Sequence, residues 1–98
     1  MIVDIECIPQ PLGTPGDQYK HVEAAIAVAQ RSGLKYVVNP MSTSIEGPAD
    51  AVWVLLRTMH DACLASGAEH VITIIKVGED ADADKQPTID GLTGKFQS

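Results

Sequence analysis

The chain has 98 residues, with 13 acidic against 7 basic side chains, a formal net charge of −6 and 45% apolar residues. That length makes one domain, with a modest core that needs neither disulfide nor metal. The charge argues against nucleic acid and anionic membrane surfaces, which both require Lys/Arg clusters, and admits a cationic ligand; no apolar run approaches a membrane span.

Residues 2–8 alternate, with Val3, Ile5 and Cys7 on one face and Asp4 and Glu6 on the other. This is the pattern of a strand with one buried face. No basic stretch precedes it, so no signal peptide is expected, and a cytoplasmic location is. Pro9 to Gly16 carries three prolines and two glycines and predicts a long loop between strand and helix, a place where small ligands are often held. Asp17 suits the N-cap of a helix over roughly residues 18–32, in which Tyr19, Val22, Ile26 and Ala29 form one buried stripe. Leu34–Asn39 and Ser42–Glu46 read as strands joined by Pro40-Met41, close enough to pair as a hairpin. Pro48 and Asp50 open a second helix, about 49–66, whose core stripe is Val52, Leu55, Leu56, Met59 and Cys63. Trp53, His60 and Leu64 line its flank, first as a subunit interface and second as a ligand wall. Residues 70–77 make a last strand, Ile/Val-rich enough to be covered on both faces.

Ser32-Gly33 and Ser66-Gly67, 34 residues apart, each end a helix and precede a β-branched run. Glycine there enters the left-handed C′ conformation without a Cβ penalty. The repeat predicts two right-handed βαβ units and an α+β, ferredoxin-like βαββαβ sandwich: a four-stranded antiparallel sheet, order 4-1-3-2, with both helices on one face. Residues 1–78 form this domain. Residues 79–98 are an acidic C-terminal segment in which Ile89, Leu92 and Phe96 could make a short helical anchor, weakened by Gly91 and Gly94. The helix-free face mixes Asp4, Glu6, Ser44, Glu46 and Lys76 with Ile72 and Ile74, and oligomerisation would cover it.

Catalytic groups are sparse. His21, His60 and His70 have no metal-ligand spacing, and no Ser or Cys sits in a nucleophile context. Cys7 and Cys63 read as reduced core thiols rather than a disulfide. There is no CxxC for metal transfer, no aromatic basic face for RNA, and no Arg in the first loop for phosphoryl chemistry. No enzyme activity, cofactor or metal is therefore expected. Glu46, at the end of an inner strand, could accept hydrogen bonds from an amino-substituted ring, cap a helix or pair with Lys76.

Ile8-Pro9, Pro11-Leu12-Gly13-Thr14, Ser32-Gly33-Leu34-Lys35-Tyr36 and Asn39-Pro40-Met41-Ser42-Thr43-Ser44-Ile45-Glu46-Gly47 together resemble a small thiamine-binding family. This is the MTH1187/YkoF-like type, also known as UPF0045 or DUF77, and the resemblance covers roughly residues 2–77. It implies the same fold, a homodimer or homotetramer, and non-catalytic binding of thiamine or its hydroxymethylpyrimidine moiety. Thr14, Thr43 and Glu46 match family positions and could supply polar contacts; Tyr36 and Met41 could supply an apolar wall for the rings. Gln10-Pro11 lengthens the first loop relative to the family, and Glu6 stands where small residues are common. The competing readings are a regulatory domain for another small metabolite and a structural oligomer without ligand.

Overall fold

The computed structural model describes residues 1–97; the final residue of the acidic C-terminal segment, Ser98, lies outside the described residues. The elements are β1 (Ile2–Gln10), α1 (Lys20–Arg31), β2 (Lys35–Val38), β3 (Thr43–Glu46), α2 (Ala49–Ala65) and β4 (His70–Gly78), followed by a short helix α3 (Ile89–Thr93) flanked by single 3-10 turns. The sheet order is β2-β3-β1-β4, all neighbours antiparallel. This is the order expected from the tandem βαβ repeat, read from the opposite edge. Val3 and Ile5 of β1 and Ile45 of β3 bury their side chains against Ala25 and Ala29 of α1 and against Val52, Leu56, Met59 and Cys63 of α2. Both helices thus cover one face.

The repeated Ser-Gly pair has a local cause. Ser32 Oγ donates to the Ala29 carbonyl at 2.7 Å and Ser66 Oγ to the Cys63 carbonyl at 2.8 Å, so each serine binds back three residues and stops its helix. Gly33 and Gly67 follow with φ of +79° and +121°. After α2 the turn closes with Ala68 N–H on the Cys63 carbonyl and Gly67 N–H on the Leu64 carbonyl, which satisfies two carbonyls that the helix end leaves open.

Four expectations change, the first being the stripe of α1: its buried residues are His21, Ala25 and Ala29, while Val22 and Ile26 are partly buried and Tyr19 is exposed. Asp17 does not cap α1: the Thr14–Asp17 segment closes on itself, Thr14 N–H to the Asp17 carbonyl at 2.9 Å and Asp17 N–H to the Thr14 carbonyl at 3.0 Å. The helix starts at Lys20, and the Leu12 carbonyl accepts from His21 N–H and Val22 N–H in place of a side-chain cap. β4 is not covered on both faces. It is an edge strand, and Ile72 and Ile74 are each 52% exposed on the helix-free side, while Ile75 and Val77 are exposed beside α2. In the C-terminal segment only Ile89 (7% exposed) anchors; Leu92 and Phe96 point to solvent. The helix forms despite Gly91 because Thr88 Oγ1 caps it by accepting from Gly91 N–H.

Candidate ligand-binding site

β1 is nine residues long and β3 only four, and the mismatch opens a cavity. At one end Met1 and Gly47 exchange both main-chain bonds, at 3.1 Å each. Pairing continues through Val3–Ile45 to Ile5–Thr43, where it ends. In an antiparallel ladder the residues that bond a given neighbour recur every second position. The next position after Ile5 is therefore Cys7, whose N–H and C=O point toward the β3 side. No strand residue stands opposite it, because the hairpin turns back at Asn39–Ser42, closed by Asn39 N–H to the Ser42 carbonyl at 2.8 Å.

That space is a cavity of about 290 Å³. Its floor is Ile5, Ala25 and Met59; Leu12 comes from the long loop, and Tyr19, Val22 and Ile26 from the start of α1. Pro40 and Met41 form the outer rim, with Met41 74% exposed. Polar groups converge from the strand ends: Asn39, Ser42, buried Thr43 and the Cys7 thiol. Glu6 borders the cavity at the open strand edge, and by alternation with Ile5 and Cys7 its side chain lies on the helix-free face, beside Ile74. The volume is at the lower end of small-molecule sites, about 300–1,000 Å³, and suits one or two small rings.

A hydrogen-bond network pins the rim. Asp4 Oδ1 accepts from Ser42 Oγ at 2.8 Å and from Ser44 Oγ at 3.2 Å, and Asn39 Nδ2 donates to Ser44 Oγ at 3.2 Å. The turn carrying Pro40 and Met41 is thereby tied to β1. The long loop is held from inside the protein: buried His21 bonds the Pro11 carbonyl through Nδ1 at 2.9 Å. Gly13 is required there, since a Cβ would fall 2.3 Å from the Asp17 carbonyl oxygen. Two acidities depart from their ordinary values here. The Cys7 thiol is held low, chiefly by a hydrogen bond from Cys63 and secondarily from Thr73, against burial. Cys63 is pushed up by that same bond and by burial.

Of the five residues singled out in the sequence, the structure brings Met41 and Thr43 to the cavity. Glu46 stands at the far end of β3, about 10 Å away at strand rise, where its Oε1 accepts from Ile89 N–H at 2.9 Å. Thr14 holds the loop turn, its Oγ1 accepting from Asp17 N–H at 3.2 Å. Tyr36 lies mid-strand on β2, opposite Ile45. Glu6, Cys7, Asn39 and Tyr19 were not singled out. The one signal that pointed to the place was the strand-to-helix loop, Pro9–Gly16.

The sequence model of the family described as thiamine-binding protein matches residues 3–96. The chain belongs to this family. A UPF0045 protein of Clostridium perfringens is 31% identical over 80 residues, 81% of this chain and 80% of that one. The solved DUF77 domain of Bacillus cereus superposes with a TM-score of 0.85 at 33% identity, covering 98% of this chain and 88% of that one. A Thermotoga maritima structure shares the fold with a TM-score of 0.79 at 21% identity, covering 98% and 97%.

Proposed function

We propose that the cavity at the end of β3 binds thiamine or its hydroxymethylpyrimidine moiety without turning it over. The observation that carries this is an open main-chain edge at Cys7 facing an apolar wall of Leu12, Tyr19, Val22 and Ile26. An aminopyrimidine offers an amine donor next to a ring-nitrogen acceptor, complementary to the C=O and N–H of one strand residue. The chain's net charge of −6 suits the thiazolium cation of thiamine. The lining contains no pair of acid and base groups poised on a common point. Family membership supports the reading, and the Thermotoga maritima chain is provisionally described as a thiamine biosynthesis/salvage protein.

Titration calorimetry with thiamine, its phosphates and hydroxymethylpyrimidine tests it. Thiamine binds below millimolar concentration, its diphosphate more weakly because the chain carries a net charge of −6. Oxythiamine, in which an oxo group replaces the amine, loses the main-chain match and binds more weakly still. No heat from any of these compounds refutes the proposal.

An apolar β4 exposed on both sides favours a second element of the same reading. We propose that copies of the chain associate through β4 and the neighbouring α2 flank. There Trp53 is half exposed, and a 550 Å³ groove runs between His60, Thr73 and Ile75. A homodimer or homotetramer in the cytoplasm then delivers, senses or sequesters the ligand. No helix is long and apolar enough to cross a membrane among the described residues.

A further inference from the structure

We propose that the cavity takes a ligand of two joined rings, a polar-edged ring inside and a flat cationic ring at the mouth, and that Tyr19 selects for the second. This order of rings rests on the binding function proposed above and favours thiamine over its pyrimidine moiety. The inner end offers hydrogen bonds. Pairing of β3 with β1 stops at Thr43, opposite Ile5, so the Thr43 hydroxyl and the main-chain groups of Cys7 share the end of the short strand. Thr43 is 4% exposed. By alternation with Ser44 it turns to the helix side, away from the Asp4 network that ties Ser42 and Ser44. Its hydroxyl therefore faces the cavity beside Ile5 and Met59.

The mouth has a different chemistry. Leu12 from the long loop, Tyr19 from the approach to α1 and Met41 from the hairpin turn are 42%, 49% and 74% exposed. Three large apolar side chains from separate stretches of chain thus surround one opening. Apolar residues scattered singly over a surface need no explanation, but a contiguous rim over a cavity marks a binding site. The rim is built in advance: His21 bonds the Pro11 carbonyl through Nδ1, and its N–H donates to the Leu12 carbonyl at 2.9 Å, which fixes the loop against the start of α1. An aliphatic rim would accept any second ring; an aromatic one narrows the choice. The face of Tyr19 carries the negative side of the ring quadrupole and attracts a cation within about 6 Å of its centroid. Met41 adds a polarisable thioether to the same rim. With the Glu6 side chain on the helix-free face, preference for a cation at the mouth falls to the ring of Tyr19.

Calorimetry on the full chain tests this with three ligands: thiamine, hydroxymethylpyrimidine, and a neutral thiamine analogue in which a phenyl ring replaces the thiazolium. The natural chain is expected to bind thiamine most tightly and hydroxymethylpyrimidine least. Tyr19→Leu weakens thiamine by roughly threefold to tenfold, the worth of a cation–π contact at a half-exposed site, weakens the phenyl analogue less, and leaves hydroxymethylpyrimidine unchanged. Tyr19→Phe keeps the affinity for thiamine, because the ring and not the hydroxyl makes the contact. Thr43→Val weakens all three ligands alike, by roughly twofold to tenfold for one hydrogen bond to the inner ring. Equal losses of thiamine and phenyl analogue in Tyr19→Leu would overturn selection of the cation. Thiamine and hydroxymethylpyrimidine bound equally by the natural chain, or a Thr43→Val loss confined to thiamine, would overturn the order of rings. Hydroxymethylpyrimidine binding with no effect of Tyr19 removes this inference alone, whereas silence from all three ligands removes the binding function and this inference together.

Discussion

Replacing Glu6 by Gln removes the charge of the one acidic residue that borders the cavity and preserves its shape. In the β1–β4 ladder Glu6 stands opposite Ile74, so the substitution breaks no cross-strand ion pair. A thiazolium about 8 Å away, across the strand edge, gains about 2 kcal/mol at an effective dielectric of 20 and about 0.5 kcal/mol in bulk water. Glu6 is half-buried on the helix-free side, between these limits, and about 1 kcal/mol is the expected loss, roughly a fivefold weaker affinity for thiamine. Hydroxymethylpyrimidine is neutral and should bind both proteins alike. Calorimetry with the two ligands on both proteins gives the difference directly. Raising ionic strength from about 0.15 M to 1 M shortens the Debye length from about 8 Å to 3 Å, and should narrow the gap between natural chain and variant. An equal loss for both ligands, or no loss for thiamine with the melting temperature intact, would refute the electrostatic reasoning.

The remaining predictions concern residues away from the cavity. Glu46→Ala removes the acceptor for Ile89 N–H and should cost about 0.5–1.5 kcal/mol, lowering the melting temperature by several degrees while thiamine affinity holds; a loss of affinity at constant stability would return Glu46 to the binding site. Gly67→Ala should destabilise by about 1–3 kcal/mol in denaturant titration, and more than Gly33→Ala, because its Cβ meets the His21 ring at 3.3 Å while that of Gly33 meets nothing within 4 Å. Ile74→Lys places a charge on the exposed apolar side of β4 and should leave the chain at its monomer mass of 10.4 kDa by light scattering; an assembly of unchanged size would exclude this face from the interface.

What the sequence disclosed was whatever depends on neighbours along the chain. Alternation gave β1 its faces, and the Ser-Gly pairs marked both helix ends by bonds spanning three residues. Strand order then followed from the handedness of two crossovers. Features set by distant partners stayed hidden. Asp17 looks like an N-cap, but the first-turn amides of His21 and Val22 are taken by the Leu12 carbonyl, nine and ten residues back. Glu46 bonds an amide 43 residues away, a pairing no periodicity announces. The apolar run of β4 resembles a doubly covered strand because composition reports that burial is needed, not whether this chain supplies it.

The cavity is the sharpest case of the same distinction. Each of its residues has an ordinary local reason: Cys7 belongs to an alternating strand, Met41 to a turn, Leu12 to a loop between prolines. A site arises only because pairing between β1 and β3 stops at Ile5–Thr43 while β1 runs on beside β4 to Gln10. The unpaired edge needs hydrogen-bond partners that the chain itself withholds, and burial makes that need costly. The Asp4 network holds the turn in place, so the gap does not close by sliding the hairpin forward. A planar ligand with adjacent donor and acceptor meets the need that the missing strand leaves. The proposed recognition of the ring rests on main-chain groups that any side chain at position 7 leaves in place, and the Glu6 variant measures separately what an acidic neighbour adds for a cation.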